Sequence, residues 1–240
     1  MHELDQKIKQ YSPYLADLFR RVYFITIAFI IFFFAGFFLS GPIIKLLTRF
    51  FSFDNVLLTS TYPFQIVDLA MNIGLSFASL LIVPMIIYHF YGFIGAGLKQ
   101  TEKKFFFLLL PLGLCLFIFG FIYSFGILYF TMQTLANINL GLGIKNLWDI
   151  SSFLSQIIST SALLGLLFEF PILVTILIKS HLFSLDFLKQ KRRHFFFGMF
   201  IFTSLLPPTD GISLLLMVLP LIVMYEATII YNMFDTGQLA

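Results

Sequence analysis

Glu169 is the only charged residue between Ile150 and Ile178. In a helix rising about 1.5 Å per residue it lies roughly 15 Å from Lys179, close to the middle of a bilayer. An ionised carboxylate at that depth costs about 2.5–3.5 kcal/mol on insertion scales, so such a group is expected to face a partner, a wet cavity or another helix. Pro171, two residues on, removes a backbone donor and predicts a bend beside the acid. Four further acids stand at edges or inside apolar runs: Asp17, Glu102, Asp210 and Glu226. Asp17 and Glu102 fall on the same side of the predicted membrane, where carboxylates accept guanidinium groups in bidentate geometry and so suit a peptide bearing arginines. Plainer readings stand beside these. Glu169 could be a protonated packing residue, Asp17 could pair with Arg20 or Arg21, and Glu102 with Lys99 or Lys103.

Other chemistries find no residues to carry them. The patterns G-x-S-x-G, H-E-x-x-H and the P-loop do not occur, and the spans hold no paired aspartates or Ser/His set for an intramembrane hydrolase. His2, His89, His181 and His194 fall on separate segments, which excludes a pair of intramembrane haem ligands. A single cysteine, Cys115, excludes a disulfide framework or a cysteine metal site and reads as a small buried hydrophobe. No enzyme activity, cofactor, metal or nucleic-acid partner is expected, and the 34 phenylalanines read as lipid-facing bulk.

The elements that must hold the acids are membrane spans. Charged residues make up 11% of the 240 and hydrophobic residues 59%, with a mean hydropathy of +0.95; soluble domains are nearer ~25% charged. The expected fold is all-α, a polytopic membrane protein forming a single transmembrane domain over residues 1–240. Its six predicted transmembrane helices cover approximately 22–40, 69–98, 105–130, 150–178, 193–208 and 212–232, the last two short for a bilayer. A short interfacial helix precedes the first span. Gly41-Pro42 ends that span, and an amphipathic helix over 43–51 lies on the far surface. Residues 53–68 read as a loop, as does the polar stretch 131–148, and Asp149 or Ser151 is placed to cap the fourth span. Twelve cations, Lys7 to Arg193, fall on the side of the termini, against Lys45, Arg49 and Lys145 opposite. The positive-inside rule then puts both termini on the cytoplasmic, matrix or stromal side. The polar first 21 residues do not read as a cleavable signal, and no internal repeat marks a secondary transporter.

Taken in order, these features resemble the TatC family, the multispanning core and receptor subunit of the twin-arginine, Sec-independent protein translocase. The strongest match is Phe168-Glu169-Phe170-Pro171, like the family's F-E-x-P. It is followed by Arg192-Arg193, Pro207-Pro208-Thr209-Asp210, and Pro220 with Tyr225-Glu226. Upstream, Pro84 to Tyr88, Phe93-Ile94-Gly95, Leu98 and Glu102-Lys103-Lys104 resemble the second span and its turn, and Asp149 matches ahead of the fourth. Departures accompany the match. The family's H-L-x-E-L-R motif reads Tyr14-Leu15-Ala16-Asp17-Leu18-Phe19, keeping the acid but losing the histidine and the arginine. T-P-P-D is permuted to Pro207-Pro208-Thr209-Asp210. A glutamine common in the sixth span is Leu214, leaving Thr203, Ser204, Thr209 and Ser213 to take its place.

The resemblance implies that Asp17 and Glu102 bind the arginine pair of a signal peptide, with Phe93 as a packing wall. It implies that Glu169, with Pro171, Thr209, Asp210, Ser213 and Glu226, forms the intramembrane surface where a partner or the signal enters. Folded cargo would cross on the proton potential with TatA/TatB-like single-span subunits, and self-association is expected. The alternatives are a proton-coupled small-solute transporter using Glu169 and a purely structural subunit. The excess of Phe, Ile, Leu and Lys over Ala and the altered N-terminal motif favour an organelle-encoded protein of the mitochondrial inner membrane; a thylakoid or bacterial plasma membrane is the alternative.

Overall fold

The structure, a computed structural model, describes the backbone of residues 2–53, 56–94, 100–179, 183–208 and 210–235. Side chains are described within these from residue 16 to 234, apart from 84, 87 and 90–110. In chain order the elements are α1 (His2–Phe38), α2 (Ser40–Phe50), β1 (Val56–Thr59), α3 (Gln65–Ile94), α4 (Gln100–Gly141) and β2 (Asn146–Asp149). They continue with α5 (Ile150–Leu167), α6 (Phe170–Lys179), α7 (Leu185–Gln190), α8 (Arg192–Ser204) and α9 (Gly211–Asp235).

Five segments among the described residues are long and apolar enough to cross a membrane: Ala16–Phe38, Gln65–Val83, Pro111–Gly141, Ile150–Lys179 and Gly211–Phe234. These match five of the six expected spans. The remaining one, expected over 193–208, is α8. Its 13 residues reach only about 20 Å against a hydrocarbon core of about 30 Å.

The fourth span is the axis of the fold and its most buried segment. Leu154, Ile157 and Leu164 of α5 and Ile172 and Ile176 of α6 are fully or nearly fully enclosed. The α4 helix packs along it, α6 meets α9, and α1 lies against α3 at the edge. The α1–α3 contact needs glycine on both sides: a Cβ on Gly36 would stand 2.6 Å from Phe77 Cβ, and one on Gly74 2.8 Å from the Phe33 carbonyl oxygen. Apart from that seam, most of α1 presents its phenylalanines and isoleucines outward, as lipid-facing residues must.

Several expectations are corrected. The third span does not end near 130; α4 continues to Gly141, so 131–148 is largely helix. Its polar residues are satisfied without leaving the helix. Thr134 donates to the Phe130 carbonyl at 2.8 Å and Asn139 to Asn146 Oδ1 at 2.8 Å, while Leu128, Met132 and Ala136 carry one buried face onward. Within the all-α fold, the stretch 53–68 is not only loop: β1 and β2 pair in parallel, Val56 with Asn146 through Thr59 with Asp149. The first break falls at Leu39 rather than at Gly41-Pro42, because Pro42 sits in the first turn of α2, where its missing N–H costs nothing. No separate interfacial helix precedes the first span, since α1 runs unbroken from His2. Cys115 is exposed on α4 rather than buried.

The tip of the α8–α9 hairpin stops short of its neighbours, and of its two helices only α8 is short: α9 has 25 residues, against the short sixth span expected over 212–232. Thr160 Oγ1 donates to the Pro207 carbonyl at 2.9 Å, and the hydroxyls of Thr131 and Ser213 lie 2.5 Å apart. Thr160 is ten residues from the start of α5, and Thr131 ten from the end of α4. The tip of the hairpin therefore stops about 15 Å short of those helix ends. Away from the tip, Tyr225 donates to the Leu188 carbonyl at 2.8 Å and Arg192 pairs with Glu226 at 3.4 Å, which holds α7 and the start of α8 against α9 before its end at Asp235.

Candidate functional site

The bend predicted from Pro171 is present. Helix α5 ends at Leu167 and α6 starts at Phe170, with Phe168 and Glu169 in the turn between them. The proline has no N–H to give, and the turn tightens: Glu169 N–H reaches the Leu166 carbonyl at 3.1 Å, three residues back rather than four. Each side of the bend is anchored by a ring. Phe168 packs against Phe119 and Tyr123 of α4, at 5.8 and 6.0 Å between centroids. Phe170 packs against Phe195 of α8 and Tyr225 of α9, each at 6.0 Å.

Glu169 lies between these two aromatic contacts at 3% exposure, and neither carboxylate oxygen has a hydrogen-bond partner among the described residues. It is enclosed by protein and does not face acyl chains. Buried polar atoms are nearly always paired in folded proteins. Glu169 is therefore an exception to that rule, set in the turn between α5 and α6.

The remaining predicted site residues divide into those the structure connects and those it does not describe. Asp17, on α1, accepts from Arg21 Nε at 2.8 Å, the local pairing that the sequence left open. The same Arg21 donates to the His89 carbonyl of α3 at 3.1 Å. This places Asp17 beside the end of α3, on the side where α4 begins, and Glu102 belongs to the first turn of α4. The side chains of Glu102 and Phe93 lie outside the described residues, as does Thr209. Asp210 caps α9 by accepting from Ser213 N–H at 2.9 Å, and its Oδ1 is buried without a partner among the described residues. Ser213 is fully buried against Thr131. Thr203 returns its hydroxyl to the Met199 carbonyl of its own helix at 2.8 Å.

Three polar links were not anticipated. Arg192 and Glu226, which stand in separate motifs of the sequence, form one pair. Asn232 donates to Thr175 Oγ1 at 3.2 Å, tying α9 to α6 below the bend. Asp149 does more than cap α5 through Ser152 N–H at 2.8 Å; it also accepts from the Thr61 hydroxyl and the Gln65 amide, holding the β1–α3 connection to β2. A polar residue recurring in otherwise apolar helices was the available signal for the second. Nothing local in the sequence pointed to Thr61 and Gln65.

These bonds, Ser152 N–H foremost, pull the Asp149 carboxyl down to about 2 despite some desolvation. A folded value below the unfolded one, near 3.9, means that the linked stability is present above about pH 4 and is lost as pH falls toward 2. Asp149→Ala is therefore expected to lower the unfolding temperature at pH 7, with the difference from wild type shrinking at pH 2. A difference that does not change with pH would show that the carboxylate's charge is immaterial.

Fold and site together define a polytopic helical membrane protein built around a bent, acid-bearing central span. The chain belongs to the TatC family: residues 13–220 match the family model for the Sec-independent protein translocase protein TatC. Similar relatives include TatCy of Bacillus subtilis (strain 168), 27% identical over 94% of this chain and 90% of that protein. TatC of Aquifex aeolicus (strain VF5) is 28% identical over 95% and 96% respectively. Two crystal structures of the twin-arginine translocase receptor TatC share the fold. One has a TM-score of 0.77 at 24% identity over 93% of this chain and 99% of that one. The other, in DDM, has 0.80 at 25% over 91% and 98%. Both named relatives are bacterial, so the mitochondrial expectation finds no support in them; that this is a multi-pass membrane protein does.

Proposed function

We propose that this protein is the receptor and core subunit of a twin-arginine translocase, capturing the arginine pair of a signal peptide at the face where α3 passes to α4. The observation that carries the reading is the match over residues 13–220 combined with the position of Asp17 beside the end of α3. Asp17 and Glu102 accept the two guanidinium groups, and Phe93 packs beside them. Glu169, at the bend beside Pro171, receives either the hydrophobic part of the signal or a partner helix. Asp210 and Ser213 at the tip of the α8–α9 hairpin and Glu226 on α9, together with Thr209, belong to the surface along which a TatA/TatB-like single-span subunit docks. The protein catalyses no covalent step, and transport draws on the proton potential with several copies assembled. A bacterial plasma membrane is the compartment the relatives favour. A proton-coupled solute transporter remains the second reading only through Glu169, and the absence of repeat symmetry in the sequence weighs against it.

Depletion of this chain should leave a folded, twin-arginine-bearing reporter on the synthesis side of the membrane; export continuing at its normal rate would refute the reading. Solute flux into vesicles containing this protein alone would favour the transporter.

The two roles of Glu169 separate in one variant. An unpartnered buried carboxylate contributes no hydrogen bond to lose, so an apolar residue of similar volume should leave stability unchanged or higher. Glu169→Met is expected to keep or raise the unfolding temperature while cutting export at least tenfold. Unimpaired export would mark Glu169 as a packing residue.

A further inference from the structure

A groove of about 380 Å³ opens between α2, α3 and α4, away from the bend and from the hairpin. Leu46 and Leu47 of α2, Ile73 and Leu80 of α3, and Phe121 and Phe125 of α4 form its walls, and every lining side chain except Ser76 is apolar. One end is roofed. Helix α2 leads from the α1–α3 pair across α4 to α5, and Phe51 at its end meets Phe125 at 4.8 Å and Phe153 at 5.7 Å. From that roof the groove descends from Ile73 to Leu80, about two helical turns or 10 Å, within the acyl region of a single leaflet about 15 Å deep. On α2 itself, Lys45 and Arg49 stand one turn apart and exposed, and neither makes an ion pair among the described residues.

We infer that this groove binds an anionic phospholipid of the leaflet against which α2 lies, with one acyl chain between α3 and α4 and the phosphate held by Lys45 and Arg49. The roof selects the occupant. A spanning partner helix has to continue past the plane of α2, which crosses one end of the groove, whereas an acyl chain ends at a headgroup in that plane. The charges complete the match, since the Arg49 guanidinium suits a phosphate in bidentate geometry and Lys45 adds a point charge beside it. On the face opposite the termini, where cations are expected to be scarce, two of the three predicted lie on the helix that roofs an acyl-sized groove. The inference rests on the membrane-embedded fold and stands or falls independently of signal recognition.

The test uses the full chain, purified in detergent and presented with phosphatidylglycerol, with phosphatidylcholine of the same acyl chains, or with glycerol phosphate alone. Retention is read by native mass spectrometry. Phosphatidylglycerol should be retained over phosphatidylcholine, and Lys45→Gln and Arg49→Gln should each weaken it about fivefold, at about 1 kcal/mol per cation. Both positions are exposed, so these variants should fold as wild type does. Ser76→Trp, which fills the groove, should displace both lipids with the cations intact. Equal retention of the two lipids in every variant would mean unspecific annular lipid and would overturn the inference. So would competition by glycerol phosphate as strong as that by the lipid, which would leave the groove without a role. A Leu46→Cys crosslink between two copies in a Cys115→Ser background, formed at the expense of lipid, would overturn it in favour of self-association.

Discussion

Replacing Asp17 and Glu102 together with alanine is expected to abolish crosslinking between this protein and a twin-arginine signal peptide while leaving membrane insertion intact. Each charge-assisted hydrogen bond to a guanidinium contributes about 1.5–3 kcal/mol. Losing two acceptors therefore removes roughly 3–6 kcal/mol, a weakening of at least a hundredfold. Asp17 already has a partner in Arg21, at 2.8 Å. That pair is largely exposed, and exposed pairs contribute about 0.2–1 kcal/mol, so an arriving arginine can displace Arg21 at small cost and with better geometry. The bond from Arg21 to the His89 carbonyl keeps α1 against α3 during the exchange. Charge reversal, Glu102→Lys, should be worse than neutralisation, since it sets a like charge against the guanidinium instead of merely removing a partner. Crosslinking that survives the double variant would remove the arginine-binding role from both acids.

The largest effect on the fold is expected from Gly120→Val. A Cβ at this position would lie 2.6 Å from Phe168 Cγ and 2.8 Å from its Cβ. Phe168 is fully enclosed and its ring is wedged between Phe119 and Tyr123, so it cannot yield without moving the bend. Overpacking of this kind costs about 1–3 kcal/mol or more. It would also shift Glu169, the next residue, away from its enclosed position, so stability and export should fall together. Gly126, on the same helix with nothing within 4 Å of its would-be Cβ, is the control. Gly126→Ala should be neutral or slightly stabilising, because alanine is the better helix former. Equal unfolding temperatures for the Gly120 and Gly126 variants would show that α4 and the bend are not in the contact described.

Much of this arrangement could be read from the chain because membrane spans report themselves locally. Glu169 and Pro171, two residues apart in an apolar run, were enough to place an acid at a bend within a long apolar span. Asp149 announced a helix start in the same way. What the sequence hid is long-range. The polar residues of α4 from Thr131 onward looked like a loop, since the partners of Thr131 and Asn139, Ser213 and Asn146, lie far along the chain or past a turn. The parallel pairing of β1 with β2 joins segments about ninety residues apart, and four-residue strands leave almost no alternation to detect. The arrest of the hairpin tip at Thr160 and Thr131 is likewise a property of packing rather than of α8 or α9 alone. Glycine spacing gave no warning of which of the fifteen glycines sits under Phe168.

Specific recognition of arginine by acids on this protein is decided by a peptide titration. Fluorescent signal peptides bearing either Arg-Arg or Lys-Lys would be titrated into the full chain in lipid nanodiscs, with wild type and the Asp17→Ala/Glu102→Ala variant side by side. Bidentate recognition predicts that the arginine peptide binds wild type at least tenfold more tightly than the lysine peptide, and that the variant binds both equally weakly. Equal affinity of wild type for the two peptides, or a preference for arginine that persists in the variant, would contradict it.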